Sequence, residues 1–372
     1  MIYFDNAATS YTKPKEVKTA VVEAVNIYTA NPGRSAHKLS QMVADKIFST
    51  REKVKQFFNA KDYDLVFTKN CTEAVNLALF GLLKKGDHVI TTVYEHNSVL
   101  RPLEELKTKG VEMTVLDCAL CDIAKNVEAY IKPNTKLVAT TMVSNVTGEV
   151  CNVEEVSKVC KANKVIYLVD GAQASGHLKI DLTKSGIDMF AFAGHKGLLS
   201  ITGVGGLIVK HDTPLNPILF GGTGTESESL VQPKTFVEGF ESGTVPSISI
   251  LSLGAGIDFL NKNFSKILEK EQKLNEYLYK KLKNLNFITL YSTKDSKNVF
   301  SFNVLDYDST EVAYYLNQEF NIAVRAGLHC APLVHKKLST LQTGAVRVSI
   351  DFNNSFQEID YLISALNKIS CL

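Results

Sequence analysis

The chain has 372 residues, of which 45% are hydrophobic and 22% are charged, and its formal net charge is +2. These values predict a globular protein with one large domain and a smaller companion, and give no reason to expect nucleic acid or an anionic membrane as a partner. No apolar run is long enough to span a membrane and no secretion leader precedes Asp5, so we expect a cytoplasmic protein.

The spacing of the cysteines and the small number of arginines indicate which kinds of site the protein can have. Seven cysteines without regular spacing indicate free thiols in a reducing compartment. Cys118 and Cys121 form a lone C-x-x-C without a second ligand pair, so no metal site is expected. Lysine supplies the general surface charge, so the few arginines are candidates for binding a carboxylate or a phosphate as a bidentate fork. They are Arg34, Arg51, Arg101, Arg325 and Arg347.

The N-terminal part of the chain has no evident role of its own. Residues 1–12 are too short to be a domain and lead into a helix that starts near Pro14. A turn-rich loop with Arg34 and His37 precedes an amphipathic helix over about residues 40–58. Such a loop can line a binding site, although a solvated turn has the same composition.

Apolar runs of strand length recur through the next part of the chain, with helical patterns between most of them. They end in polar or turn residues near positions 68, 96, 145, 170 and 193. This alternation predicts an α/β fold with a mostly parallel sheet that is flanked by helices on both faces. Because the carboxyl ends of parallel strands meet at one edge, we expect these polar residues to face one crevice.

The ends of the earlier runs allow more than one interpretation. Asn70 and Glu73 have the spacing of a capping box, and the free N–H groups of that helix with the Thr72 hydroxyl would also suit a phosphate. His96 could stack on a planar cofactor, or it could be a satisfied loop histidine. Asn145 stands at the end of a further run and belongs to the same crevice.

The last two runs deliver Asp170 and Lys196 to this crevice. A buried lysine is costly unless it has a function. The pair suits pyridoxal 5'-phosphate (PLP), since Lys196 can form the Schiff base and Asp170 can keep the pyridine nitrogen protonated, so that the ring withdraws electrons. Gln173 could then reach the ring hydroxyl. The alternative is that Asp170 caps a strand and Lys196 is an ordinary loop lysine.

The remaining chain contains a further strand, a long connection and a second folding unit. The strand covers residues 203–210, and the connection up to residue 246 could reach a neighbouring subunit, close over a site or be a disordered surface loop. The unit beyond it has an α+β pattern, with helices near 247–262, 265–285, 309–320 and 356–368 and strands near 287–291, 299–304 and 322–325. We therefore predict a large domain over 13–246 and a small domain formed by 1–12 and 247–372.

Two residues of this unit are suited to chemistry. Cys330 follows His329 in a loop bounded by glycine and proline, which is typical of an activated thiolate, although a redox-inert loop cysteine would look the same. Arg347 lies inside an apolar strand pattern and therefore needs an anionic partner or an open cleft.

Nearly from end to end, the chain resembles the class V aminotransferase family of fold type I PLP enzymes. The motifs that carry the resemblance are Y-F-D-N-A-A from Tyr3, N-C-T-E from Asn70, E-H-N from Glu95, V-S-N-V-T-G from Val143, D-G-A-Q from Asp170, G-H-K from Gly194, E-S-G-T from Glu241 and R-A-G-L-H-C-A from Arg325. The D-x-A-Q and G-H-K pair is specific for the family. The R-x-G-x-H-C-A loop is typical of its cysteine desulfurase and selenocysteine lyase group.

The resemblance implies a cofactor and a set of site residues. PLP would be held by Lys196, Asp170, Gln173, His96, Cys71, Thr72 and His195, with Thr244 added from the partner subunit of a homodimer. Asn145 and Arg347 would bind the substrate, Arg347 as the fork for its α-carboxylate, and Arg325 would support the cysteine loop. The catalytic residues would be Lys196, His96 and Cys330.

The implied reaction is the removal of sulfur from L-cysteine. Lys196 takes the Cα proton, the thiolate of Cys330 attacks the substrate sulfur, and L-alanine is released while a persulfide stays on Cys330. An acceptor protein would take this sulfur, with iron–sulfur cluster assembly as the expected use. Two rivals stay open: selenocysteine lysis or another class V reaction such as transamination, with Cys330 incidental, and a protein of this fold that only binds or carries sulfur.

The chain departs from the family pattern at the phosphate end of the expected site. Ala193 stands where a serine is common, and Ser200-Ile201 stand where Gly-Pro is common. The first change removes one hydrogen bond to the phosphate, for which Ser200 or Thr202 could compensate.

Overall fold

The computed structural model describes residues 1–33 and 37–371. Its strands are β1 (Ile2–Tyr3), β2 (Tyr63–Thr68), β3 (His88–Thr92), β4 (Glu112–Leu116), β5 (Thr135–Thr141), β6 (Ile166–Asp170), β7 (Met189–Ala193), β8 (Gly205–Lys210), β9 (Ile288–Leu290), β10 (Val299–Val304), β11 (Ile322–Ala323), β12 (Arg325–Gly327) and β13 (Ala345–Ser349). Its helices are α1 (Lys15–Ile27), α2 (Lys38–Phe57), α3 (Cys71–Leu82), α4 (Asn97–Thr108), α5 (Ile123–Tyr130), α6 (Val153–Ala162), α7 (Leu182–Ser185), α8 (Ser247–Lys283), α9 (Ser309–Phe320), α10 (Pro332–Lys337) and α11 (Phe356–Ile369). None of these helices combines the length and the apolar character that a membrane span needs.

A seven-stranded sheet in the order β2-β8-β7-β6-β5-β3-β4 lies at the centre of the larger part of the chain. Its strands from β7 to β4 run parallel to one another, whereas β8 pairs antiparallel with both β2 and β7. The predicted α/β fold with a mostly parallel sheet is confirmed. The edge strand β4 was absent from the prediction because its residues are mostly half-exposed and mix polar with apolar side chains.

Successive side chains of the central strands point to opposite faces of this sheet, and both faces are buried in apolar cores. In β7, Phe190 and Phe192 face one core, which α2, α5, α6 and the first half of α8 complete. Met189, Ala191 and Ala193 face a second core beneath α3 and α4. Because helices cover both faces, a ligand reaches the sheet only at the open ends of its strands.

The C-terminal part contains a four-stranded antiparallel sheet in the order β12-β13-β10-β9, and β1 pairs with β11 in a separate parallel ladder. The single strand predicted near 322–325 is therefore wrong. The chain changes partners at Val324, so that β11 joins the N-terminal strand and β12 joins β13. The division into a domain of residues 13–246 and a domain of residues 1–12 with 247–372 stays a prediction.

The two helices predicted over 247–262 and 265–285 are also wrong, because α8 is one continuous helix of 37 residues. The polar stretch around Asn263 interrupts the apolar stripe, but it contains neither proline nor glycine. The Asn263 amide donates to the Phe259 carbonyl at 2.9 Å, within the helix itself. Polar residues on the exposed side of a helix change its stripe without ending it. The helix thus runs from the core under the large sheet to Leu274 and Leu278 in the core of the C-terminal sheet.

The substitution Asn263→Pro tests this continuity. Proline inside a continuous helix removes a backbone hydrogen bond and clashes with the preceding turn, so the variant should lose about 3 kcal/mol of stability or more. Asn263→Ala is the matched control and should change stability by less than about 0.5 kcal/mol. Urea unfolding followed by circular dichroism measures both variants. Equal stability of the two would show that the helix is broken here after all.

Candidate active site

The candidate active site is a cleft of about 290 Å³ at the carboxyl ends of the central strands. It is lined by every predicted site residue except Thr244, namely Lys196, Cys330, His96, Asp170, Gln173, Cys71, Thr72, His195, Asn145, Arg347 and Arg325. The loops after β2, β3, β5, β6 and β7 supply one wall, and β12, β13 and the loop that follows β12 supply the other. The fold therefore brings together residues that are far apart in the sequence.

Asp170 and Lys196 enter the cleft from neighbouring strands. Asp170 ends β6, is buried, and accepts the N–H of Ala172 at its Oδ1 at 2.9 Å. Lys196 follows β7, and its carbonyl accepts the Ser10 hydroxyl at 3.0 Å. Burial lowers the pKa of the Lys196 ammonium, and the Asp170 carboxylate opposes that shift. The cleft thus holds an amine that releases its proton more readily than an exposed lysine does, close to a buried carboxylate.

Cys71 is a thiol of the cleft that is suited to donate a hydrogen bond. It begins α3, it is buried, and its Sγ lies 3.4 Å from Asp170 Oδ1. Burial, followed by the charge of Asp170, raises the pKa of the Cys71 thiol well above its usual value. Cys71 is therefore a neutral donor to Asp170 and not a nucleophile.

His96 is held as a neutral ring at the start of α4. Its Nδ1 accepts the N–H of Ser98 at 3.0 Å, which places the ring proton on Nε2. Burial lowers the pKa of His96 to about 4, so the ring is uncharged at neutral pH. The N–H of Asn97 donates to the Cys330 carbonyl at 2.7 Å and ties this end of the sheet to the cysteine loop. A neutral planar ring on the cleft wall is suited to stacking on a flat ligand.

The start of α3 carries a helix cap and, beside it, a hydroxyl group that faces the cleft. Asn70 caps the helix, because its side chain accepts the N–H of Glu73 at 2.9 Å. The Glu73 carboxylate accepts the N–H of Lys69 at 2.5 Å and not that of Asn70, so the capping box is not closed. The cap leaves the Thr72 hydroxyl on the cleft wall, 2.7 Å from the Ser98 hydroxyl.

In the described part of the chain, one ring nitrogen of His195 lacks a hydrogen-bond partner. Its Nδ1 is buried and has no hydrogen-bond partner among the described residues. Burial, with the charge of Lys196 next in size, lowers the pKa of His195 to about 4. A buried polar atom without a partner costs free energy unless a water or a ligand completes it. His195 Nδ1 therefore has a hydrogen-bonding position that a water or a polar ligand of the cleft can fill.

The N-terminal segment, for which sequence reasoning found no role, forms part of the cleft wall. Ala7 and Ala8 line the cleft, and the Ala7 carbonyl accepts the Gln173 amide at 3.0 Å. The His195 carbonyl accepts the N–H of Ser10 at 3.1 Å. Small side chains let two backbones approach closely. The run of small residues from Ala7 to Ser10, which has neither a helix nor a strand pattern, is the sequence feature that could have predicted this part of the cleft wall.

Arg347 is buried in β13. The sequence predicts either an anionic partner or an open cleft for it, and the structure shows both. Its Nη2 forms an ion pair with Asp5 at 2.9 Å, and its Nη1 donates to the Asn145 carbonyl at 3.1 Å. Burial lowers the pKa of the guanidinium and Asp5 opposes this, so the group stays charged. Sequence reasoning missed Asp5, because no local pattern connects residue 5 with β13.

The loop that carries Cys330 is held from several sides. The Asn145 side chain donates to the His329 carbonyl at 2.7 Å, and Arg325 Nη2 lies 3.9 Å from Cys330 Sγ. His329 and Cys330 both have a left-handed backbone, with φ of 50° and 58°. Consecutive non-glycine residues persist in that region only where their surroundings impose it. The half-buried Cys330 thiol is thus presented at a defined place in the cleft.

Ser200 does not compensate for Ala193, so that expectation is wrong. The Ser200 hydroxyl is buried against α8, 2.8 Å from the Ser252 hydroxyl, and Thr202 is exposed. Both residues lie off the cleft because the chain beyond Lys196 turns toward α8.

Thr244 also lies outside the cleft of its own chain. It is exposed on the connection before α8 and lines a separate pocket of about 480 Å³. Arg51 holds the neighbouring Glu241 through two contacts of 2.9 Å, and Glu241 also accepts the N–H of Phe67 at 2.6 Å. The contribution of Thr244 to a partner's site stays a prediction.

The loop before α2 lies partly beyond what the structure describes. Arg34 is outside the described residues. His37 caps α2, since its Nδ1 accepts the N–H of Ser40 at 3.1 Å. His37 therefore caps a helix and does not line the cleft.

Two more buried histidines support the cysteine loop. His329 donates from Nε2 to the Ala345 carbonyl at 3.0 Å, and His335 Nδ1 is in hydrogen-bond contact with the Thr340 hydroxyl at 2.8 Å. Their ring centroids are 5.5 Å apart. Burial lowers the pKa of His335 to about 4 and that of His329 to about 2. The loop therefore packs on uncharged imidazoles.

The mostly parallel sheet with a cleft at its carboxyl edge defines this protein as an α/β protein with a ligand site at its strand ends. The family model described as Aminotransferase class-V matches residues 2–362. The chain belongs to this family, whose members are PLP enzymes.

Two named relatives match nearly the whole chain in sequence, and a solved structure matches it in fold. A "Probable cysteine desulfurase" of Methanothermobacter thermautotrophicus is 35% identical over 382 residues, which cover 99% of this chain and 94% of the relative. A protein of Pyrococcus abyssi with the same name is 38% identical over 387 residues, with 99% and 94% covered. The apo structure of a cysteine desulfurase from Thermococcus onnurineus NA1 has a TM-score of 0.93 and 36% identity, and covers 99% of this chain and 94% of that one.

The neutral His335 predicts how stability depends on pH. An unfolded chain, in which histidine has a pKa of about 6.5, takes up a proton between about pH 6.5 and pH 4 that folded His335 does not. Stability should therefore fall as the pH decreases through this range. His335→Gln should reduce the slope of the unfolding free energy against pH by up to about 1.4 kcal/mol per pH unit.

Urea unfolding between pH 4.5 and pH 7 measures this slope. His335→Asn is a second replacement that cannot take up a proton, and it should reduce the slope by the same amount. An unaltered slope in His335→Gln would contradict the assignment of a neutral buried ring.

Proposed function

We propose that this protein is a PLP-dependent cysteine desulfurase, which takes sulfur from L-cysteine, releases L-alanine and keeps the sulfur as a persulfide on Cys330. The observation that carries the proposal is the position of Cys330. An anchored loop places this thiol in the same cleft as the Lys196 amine, the Asp170 carboxylate and the Arg347 guanidinium. The relatives named cysteine desulfurase, which match nearly the whole chain, support the same activity.

The donor set of the cleft fits PLP. Lys196 offers an amine for the aldehyde, and Asp170 offers a carboxylate for the pyridine nitrogen. The unpartnered Nδ1 of His195 and the Thr72 hydroxyl at the start of α3 offer donors for the phosphate, where the helix dipole favours an anion. The neutral ring of His96 suits stacking on the cofactor. When bound, PLP supplies a sink for the electrons that remain when the substrate Cα loses its proton.

Arg347 and Lys196 would prepare the substrate. The Arg347 guanidinium binds the α-carboxylate, and the neighbouring Asn145 restricts its orientation, so that the Cα–H faces the lysine. The lowered pKa of Lys196 makes its neutral amine available, and this amine accepts the Cα proton and later returns one.

Cys330 would perform the sulfur transfer as a thiolate. Its Sγ attacks the substrate sulfur, an S–S bond forms, the Cβ–S bond breaks, and the bonding electron pair goes to the carbon that becomes the alanine methyl group. Arg325, 3.9 Å from Sγ, stabilises negative charge on this sulfur. Cys71 stays protonated beside Asp170 and does not compete as a nucleophile.

We further propose a homodimer and an acceptor protein for the sulfur. The exposed position of Thr244, off its own cleft and next to the anchored Glu241, suits a contribution to the site of a second copy. The outer sulfur of a Cys330 persulfide is transferred when an acceptor thiolate attacks it, so that a new S–S bond forms, the bond to Sγ breaks and Cys330 is released as a thiolate. The free state of all seven cysteines fits a reducing compartment, where that thiol stays available.

Replacing Cys330 tests the proposed role of its thiol. In Cys330→Ala, sulfide release and alanine formation from L-cysteine should fall to background, whereas the visible absorbance of bound PLP should persist. The matched control is Cys371→Ala, which removes an exposed cysteine and should keep full activity. Undiminished desulfuration in Cys330→Ala would contradict the proposed role of Cys330 as the sulfur acceptor. Alanine formed from L-cysteine and from L-selenocysteine, measured side by side, then decides between these two substrates.

A further inference from the structure

We propose that Asp5 sets how tightly the cleft binds substrate carboxylates, because its own carboxylate forms an ion pair with Arg347. The inference rests on the proposed function, because it concerns the same guanidinium. It assigns to Asp5 a positioning role that acts through Arg347.

The ion pair is well defined. Asp5 Oδ1 lies 2.9 Å from Arg347 Nη2, and the side chains are 22% and 1% exposed. Among the residues that the structure describes, Asp5 is the one carboxylate in ion-pair contact with Arg347. A buried guanidinium without an opposite charge would strongly destabilise the fold. Asp5 therefore compensates the charge of Arg347 when no substrate is bound.

Backbone contacts deliver Asp5 to this place. Asp5 forms a parallel bridge with Ser349, two residues beyond Arg347 on β13. The N–H of Ser349 donates to the Phe4 carbonyl at 2.6 Å, and the N–H of Ala7 donates to the Ser349 hydroxyl at 2.9 Å. The carboxylate thus has little freedom to leave when a ligand enters.

Arg347 still has donors for a second carboxylate. A guanidinium has five N–H groups, of which Asp5 and the Asn145 carbonyl each engage one. The Nε–H is buried without a partner. A substrate carboxylate can therefore bind without displacing Asp5, but the two carboxylates then share one cation and repel each other. Asp5 consequently compensates the charge of Arg347 and weakens carboxylate binding.

The substitution Asp5→Asn separates charge from shape, because the amide oxygen can keep the bond to Nη2. Propionate serves as a probe with a carboxylate and no amine, and propionamide is its uncharged match. Asp5→Asn should tighten propionate binding about tenfold, which is the size of effect that a like charge about 4–6 Å away has on an ionisation equilibrium. Propionamide binding should not change.

Isothermal titration calorimetry on the full chain, with and without PLP, measures both affinities. In an Arg347→Gln background, Asp5→Asn should have no effect on propionate, because the effect passes through Arg347. Asp5→Ser is a second uncharged variant, should Asp5→Asn fold poorly. In the loaded enzyme, KM for L-cysteine should fall while kcat does not rise in proportion.

Two results would overturn the proposal. One is unchanged or weaker propionate binding in Asp5→Asn, and the other is an equal change for propionate and propionamide, as a purely structural role would give. These binding measurements do not need turnover. Absence of desulfuration in the unaltered protein would therefore refute the proposed function and leave the Asp5 result readable, whereas normal desulfuration with unaltered propionate affinity would refute the role of Asp5 alone.

Discussion

The site depends on opposite charges that two neighbouring strands bring together below the protein surface. The strands β6 and β7 are paired so that Asp170 lies opposite Ala191, and the chain beyond β7 returns Lys196 to the same edge. Loss of hydration pushes the lysine toward its neutral form, and the carboxylate pulls it back. Three other titratable side chains of the cleft add no charge beside this pair. His96 and His195 are neutral, and Cys71 remains protonated.

The contrast between Cys71 and Cys330 shows how environment decides the use of one residue type. Cys71 is buried at the start of a helix against a carboxylate, which stabilises the protonated thiol. Cys330 lies on a half-buried loop beside the cation of Arg325, and the loop backbone is held in the left-handed region by contacts to two other segments. The same thiol group therefore serves as a hydrogen-bond donor in one position and is proposed as the nucleophile in the other.

The wall opposite the large sheet is assembled from both ends of the chain. The N-terminal segment pairs with β11 and β13, so that Asp5 meets Arg347 and Ala7 meets Gln173. The continuous helix α8 joins the core of the large sheet to that of the C-terminal sheet. A change in the docking of the N-terminal segment would alter the charge around Arg347 and the shape of the cleft together.

Periodicity and motif spacing in the sequence were enough to predict the α/β class, the polar strand ends and, through the family resemblance, a set of site residues that all line the cleft except Thr244. These are properties of neighbouring residues, which a linear pattern records. Only the tertiary structure decided that 322–325 divides between two sheets, that α8 is unbroken, that Ser200 turns away from the cleft and that Asp5 compensates Arg347. Each of these depends on which distant surfaces pack together. A strand of two residues such as β1 has no pattern of its own, since it exists only because β11 supplies its hydrogen-bond partners.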